Sequence, residues 1–218
     1  MLDWAKKHKP GRVVLLGDVL DVHALTVHRQ DPRWQDNLEK ELDAGRQFLE
    51  SMRAACPRAE ITYIEGNHED RWNRYVSGRI PAMRLIGVTL PRYLALDELG
   101  IRWHSDVRRG VKVSCGQGSS VYCFHGHEAK KSSKFPGGVA IALAEKAGKN
   151  IHIGHTHKLG LQSCVLGGRS LFGVEGGHLA NPRSSVFNYA GINPQWTQAW
   201  SFYDSKSRES PFPRFVRP

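Results

Sequence analysis

Four times along this chain a short apolar run stops at or beside a glycine, and the side chains that follow carry oxygen or imidazole nitrogen. The clusters are Gly17-Asp18-Val19-Leu20-Asp21, Gly66-Asn67-His68-Glu69, His125-Gly126-His127 and Gly154-His155-Thr156-His157. An apolar run followed by a glycine turn is how a buried strand hands a polar side chain to a crowded centre, because glycine lets the backbone turn sharply there. Five of the eleven histidines, His68, His125, His127, His155 and His157, sit in these clusters. Such crowding calls for a chemical reason. The set offers no sulfur, which suits a harder divalent ion such as Mn2+, Fe2+ or Zn2+.

The segments between the clusters predict a mixed α/β fold. Residues 2–9 read as a short helix stopped by Pro10-Gly11, and residues 12–16 as a fully buried strand ending at Gly17-Asp18. Apolar positions three to four apart, from Trp34 through Leu38 and Leu42 to Met52, predict an amphipathic helix over 33–55. A strand over 61–64 leads to Gly66, and a helix follows from Glu69 to about Val76. Residues 81–100 are broken by Pro81 and Pro91, with a short helix over 92–99. Strands are expected over 101–104, 111–114 and 121–124, then a helix over 137–147 and a strand over 150–153. Three more strands, over 161–165, 169–174 and 197–203, make the second half strand-rich. Residues 205–218 read as an exposed basic tail. The polar clusters follow strand ends, where open α/β sheets place their ligands.

Composition narrows the function classes. The chain has 218 residues, 40% of them hydrophobic and 24% charged, which excludes a fully disordered chain. No apolar run is long enough to cross a bilayer, and the N-terminal residues have no signal-peptide core. No membrane partner and a cytoplasmic location are expected. Cys56, Cys115, Cys123 and Cys164 show no Cys-X-X-Cys spacing and read as reduced thiols. The formal charge of +10 points to a polyanionic partner.

Taken in order, Gly-Asp-X-X-Asp, Gly-Asn-His-Glu, His-Gly-His and Gly-His-X-His resemble the motifs of the calcineurin-like metallophosphoesterase superfamily, phage-type members in particular. The match runs from Gly17 to His157, and residues 176–200 are similar to the closing strands of those members. The resemblance implies a four-layer α/β/β/α sandwich over residues 1–204, with 205–218 as the tail. It implies two divalent metal ions, Mn2+ first and Fe2+ or Zn2+ as alternatives. Asp18 would bridge them, Asn67, His125 and His155 would complete one, and His157 would bind the other. His68 would be the non-ligand histidine beside the leaving group, held by Asp21, and His127 would sit near the substrate phosphate. A bridging carboxylate holding two dications about 3.5–4 Å apart polarises a shared water, and a protonated histidine beside a carboxylate can donate to a departing alkoxide.

The family pattern also opens with Asp-X-His on a strand before Gly-Asp-X-X-Asp, and here no such motif precedes Gly17. The expectation is therefore an N-terminally incomplete domain, missing its first strand, with the second metal position short of ligands. The alternative is that Asp21-Val22-His23 replaces the lost pair. Arg71 is either a phosphate contact or a solvated helix arginine, and His127 either a phosphate contact or a loop residue. His178 has no motif behind it, yet could approach the site. Lys130, Lys131 and Lys134 are either a nucleic-acid contact or a solvated loop. The activity implied is that of a phosphodiesterase or nuclease on nucleic acid. The alternatives are a phosphomonoesterase or nucleotide phosphatase, and a non-catalytic remnant that binds metal or nucleic acid.

Overall fold

The computed structural model describes residues 1–26, 38–129, 132–181 and 195–218. The chain is mixed α/β and divides into two compact units, Met1–Ser105 and Asp106–Pro218. No helix among the described residues is long and apolar enough to cross a membrane.

The first unit is built on a parallel sheet. Its strands among the described residues are β1 (Arg12–Leu15), β2 (Glu60–Ile64) and β3 (Ile101–His104), in that spatial order. Val13 pairs with Ile61, and Ile61 with Ile101. Parallel neighbours need long crossovers, and helices supply them. Helix α1 (Leu2–His8) precedes β1, α2 (Leu38–Ala55) joins β1 to β2, and α3 (Asp70–Arg79), α4 (Ala82–Leu85) and α5 (Leu90–Tyr93) lie between β2 and β3. Leu42, Leu49, Met52 and Ala55 line the buried face of α2, at the spacing that the sequence predicts. They pack in one core with Leu15, Ile61, Tyr63, Leu90, Leu94 and Ile101.

Three expectations change here. Strand β1 is not buried throughout: only Leu15 is fully covered, because β1 lies at one edge of the sheet. Residues 33–37 of the expected long helix lie outside the described residues, as do Lys130 and Lys131. The short helix expected over 92–99 is instead Leu90–Tyr93, with turns over 94–100; Pro91 falls in its first turn, where a missing N–H costs nothing.

The second unit carries a five-stranded sheet among the described residues. Strands β4 (Val111–Ser114), β5 (Ser120–Phe124), β6 (Asn150–Ile153), β7 (Leu159–Leu166) and β8 (Arg169–Gly176) lie in the order β4-β5-β6-β8-β7. The central pairs are parallel and the two outer ones antiparallel. Helix α6 (Gly138–Ala147) buries Val139, Ala140 and Ala144 against this sheet. Gly173 of β8 permits the approach, since a Cβ there would stand 2.2 Å from the backbone nitrogen of Ile141. At the N-terminus of α6, buried Glu175 accepts hydrogen bonds from the Val139 N–H (3.0 Å) and the Thr156 hydroxyl (3.0 Å). A carboxylate is well placed at that end of a helix dipole.

The last residues do not trail away as an exposed tail. Strand β10 (Arg214–Val216) pairs antiparallel with β9 (Trp200–Phe202), and the Gln117 N–H donates to the Ser207 carbonyl at 2.7 Å. Phe212 meets the Phe172 ring edge-on at 5.3 Å, so apolar packing and strand pairing hold a segment whose charge suggested solvent.

Candidate metal and proton-transfer residues

In the first unit, the turn after β1 enters left-handed backbone at Gly17 and again at Asp18, where φ is +53°. A non-glycine residue held there costs on the order of 1–3 kcal/mol and needs support from its surroundings. Glu69 gives that support. Its fully buried carboxylate accepts from the Asp18 N–H (2.9 Å), the Leu20 N–H (3.1 Å), the Gly66 N–H (2.9 Å) and the Tyr63 hydroxyl (2.6 Å). Burial, then the nearby Asp18 charge, push the Glu69 carboxyl above the usual range, while these donors pull it back. Val22, also at positive φ, is held from the other side: Glu41 of α2 accepts from the Asp21 and Val22 N–H groups at 2.6 and 2.7 Å.

This scaffold brings Asp18 beside the second cluster. Asp18 Oδ1 accepts from the His68 N–H at 3.1 Å, and Asp18 Oδ2 lies 3.9 Å from His68 Nε2. Gly66 makes the approach possible, because a Cβ there would fall 2.1 Å from Asp18 Oδ1. His68 Nδ1 lies 2.8 Å from Asp21 Oδ1, and Arg71 donates to the same oxygen at 2.8 Å and to the Asp21 carbonyl at 2.7 Å. Burial pushes the Asp21 carboxyl up, but His68 and Arg71 together outweigh it and hold it below its ordinary value. Arg71 is thus engaged with Asp21 rather than solvated. Asn67 is half-buried, and its carbonyl faces Arg74.

In the second unit, β5 ends at Phe124, one residue before His125, and β6 at Ile153, two residues before His155. The His125 carbonyl accepts from the Gly154 and His155 N–H groups, both at 3.0 Å, which fixes the two strand ends together. As a result His125 Nε2 and His155 Nδ1 stand 3.2 Å apart. Two nitrogens bound to one ion at about 2.1 Å would be separated by roughly 3.0–3.4 Å in octahedral or tetrahedral geometry. The separation matches that of two ligands on one divalent ion, and without an ion the same two nitrogens are within hydrogen-bond distance of each other. The His127 ring lies 5.3 Å from that of His125 and 6.1 Å from that of His155, with its Nε2 3.2 Å from Glu128. His157, at φ +59°, is 5.7 Å from the His178 ring and 4.7 Å from Trp196. The Thr197 N–H donates to the His157 carbonyl and the His178 N–H to the Thr197 carbonyl, so the chain after β8 returns His178 to His157.

Sequence reasoning missed the parts played by Glu69 and Glu41. Glu69 had a visible signal, as the last residue of Gly-Asn-His-Glu. Glu41 had none, being one charged residue among many on a solvated helix. Comparison with protein-family models and with curated protein sequences finds no match to this chain.

Proposed function

We propose that the chain is a metal-dependent phosphoesterase of the calcineurin-like kind, a phosphodiesterase or nuclease acting on nucleic acid. The observation that carries this reading is the 3.2 Å separation of His125 Nε2 and His155 Nδ1, the spacing that two ligands of one metal ion would take. The His68–Asp21 pair, at 2.8 Å, supports it from the first unit. The proposed fold is the α/β/β/α sandwich, and the proposed setting is cytoplasmic. The proposed ligands are Asp18, Asn67, His125, His155 and His157, for two divalent ions, Mn2+ before Fe2+ or Zn2+. When bound, the ions would supply a water of lowered pKa and offset charge on the phosphoryl oxygens. His68, with Nδ1 held on Asp21, turns Nε2 toward Asp18, and in its protonated form it would give that proton to the leaving oxygen. Arg71 keeps Asp21 ionised and in place, and His127 stands near the donor pair, where it can meet a phosphate oxygen. The +10 charge favours a polyanion over a small monoester.

The test is metal analysis of the purified chain, with hydrolysis of an aryl phosphodiester and of a labelled oligonucleotide in Mn2+. Bound metal, turnover of both substrates, and loss of both metal and turnover in His125→Ala are expected. A chain that binds no divalent ion, or that retains full activity in His125→Ala and His155→Ala, would overturn the reading. Turnover of phosphomonoesters alone would move the assignment to a phosphatase.

A further inference from the structure

The first unit leaves a long stretch of surface uncovered. Every residue from Ser77 to Ile86 is exposed, and the stretch includes large apolar side chains. Leu85 is 90% and Ile86 68% exposed, with Ile80, Met83, Tyr75 and Tyr93 each exposed by 40% or more. A contiguous run of exposed large apolar side chains is the kind of surface that marks an interaction site. The excursion is nevertheless built. Arg84 of α4 bonds the Ser77 hydroxyl of α3 at 3.0 Å, Arg92 bonds the Ile86 carbonyl at 3.3 Å, and Tyr93 tilts against Trp72 at 5.6 Å.

Charge identifies the partner. From Asp70 to Tyr93 the sequence has five arginines, no lysine, and Asp70 as its one carboxylate. Asp70 is taken by Arg74 at 2.9 Å, and Arg71 by Asp21. Arg79, Arg84 and Arg92 remain, flanking the apolar tip; none of them makes an ion pair within 4 Å among the described residues, and Arg84 lies near enough to Glu65 to favour its ionised form. A second copy of the same surface would bring like charges together. An anionic partner would not, and guanidinium groups suit phosphate because they bind its oxygens in pairs. The two exposed tyrosines offer stacking faces, and aliphatic tips are the side chains that wedge between base steps. Helix α3, which leads into the excursion, begins one residue after Glu69.

We infer that the surface from Tyr75 to Tyr93 is a nucleic-acid docking platform: Arg79, Arg84 and Arg92 hold backbone phosphates, and Leu85 and Ile86 insert at a base step. The inference rests on the phosphodiester reading for its choice of polymer, but binding can be measured without hydrolysis.

The test is equilibrium binding of a fluorescein-labelled 30-nucleotide DNA, single-stranded and duplex, to the full chain in EDTA. Arg79→Gln/Arg84→Gln is expected to weaken binding at least tenfold at low salt. It should also flatten the dependence of log K on log salt by about 0.9 for each phosphate no longer held by an arginine. Leu85→Ser/Ile86→Ser is expected to weaken duplex binding several-fold with an unchanged salt slope. Both variants should hydrolyse a small aryl phosphodiester at the parent rate. Parental DNA affinity in both variants overturns the platform, whatever the catalytic result. So does binding of the parent to vesicles of phosphatidylserine and phosphatidylcholine but not to DNA, or a parent dimer that Leu85→Ser/Ile86→Ser dissociates with DNA affinity unchanged. Arginine-dependent DNA binding in a chain that hydrolyses nothing would sustain the platform and sink the phosphoesterase reading.

Discussion

Asp21 Oδ1 stands 2.8 Å from His68 Nδ1 and shares that oxygen with Arg71. One carboxylate oxygen thus fixes both the orientation of an imidazole and the position of a guanidinium. A histidine held through Nδ1 has its ring oriented, and here Nε2 faces Asp18 Oδ2 at 3.9 Å, so that a protonated ring can donate from that nitrogen.

His68→Ala should lower turnover by roughly 10²–10⁴ on an oligonucleotide, whose leaving alkoxide needs a proton. A p-nitrophenyl diester should lose far less, because its leaving group departs unprotonated. Steady-state rates on the two substrates decide it. Equal losses would mean that His68 only shapes the pocket.

The paired imidazoles make a second prediction. Titrated with Mn2+, the parent should gain thermal stability as ligand binding shifts the folding equilibrium. His125→Ala and His155→Ala should each abolish most of that gain and lower the metal content by at least one ion per chain. His178→Ala asks whether the neighbour of His157 is also a ligand: metal content should fall, and an unchanged content would make His178 a packing residue.

Glu69 is expected to be a stability determinant before it is anything else. Its carboxylate accepts from four donors in the interior, and Glu69→Gln would turn an NH2 group toward some of them. The cost should be about 3–5 kcal/mol, in the range for breaking a buried charged network. Chemical denaturation measures it. A drop of less than about 1 kcal/mol would show that the turn at Asp18 holds itself.

His152 gives the pH prediction. It lies within the core of the second unit, its Nδ1 3.0 Å from the Tyr203 hydroxyl, and burial pushes its pKa down to about 4. The unfolded chain, with an ordinary value near 6.5, binds the proton first. Stability should therefore be intact above about pH 6.5 and fall as the pH drops towards 4, by about 3 kcal/mol from this group. His152→Phe should flatten that limb in a series of melts from about pH 4 to 7. An unaltered acid limb would place the dependence elsewhere.

The sequence alone determined where the strands end. Apolar runs of four or five residues stop at or beside glycine, and β1, β2, β5 and β6 lie where those runs do, each boundary within a residue of its expected place. It also marked His125 and His155 as a pair, because strand-end delivery is a local property of backbone and glycine, whereas the pairing of His68 with Asp21 was what the motif resemblance implied. Tertiary structure decided the rest. Burial of β1 depends on what lies beside it in the sheet, which no run of Val and Leu can state. Segment 205–218 is basic, yet it pairs with β9, since pairing answers to register and not to charge. Glu41 and Glu69 read alike as acidic residues near helix starts. Only the folded chain reveals that both carboxylates close on the same strained turn from opposite sides, because the N–H groups they receive come from residues 19 to 51 positions away.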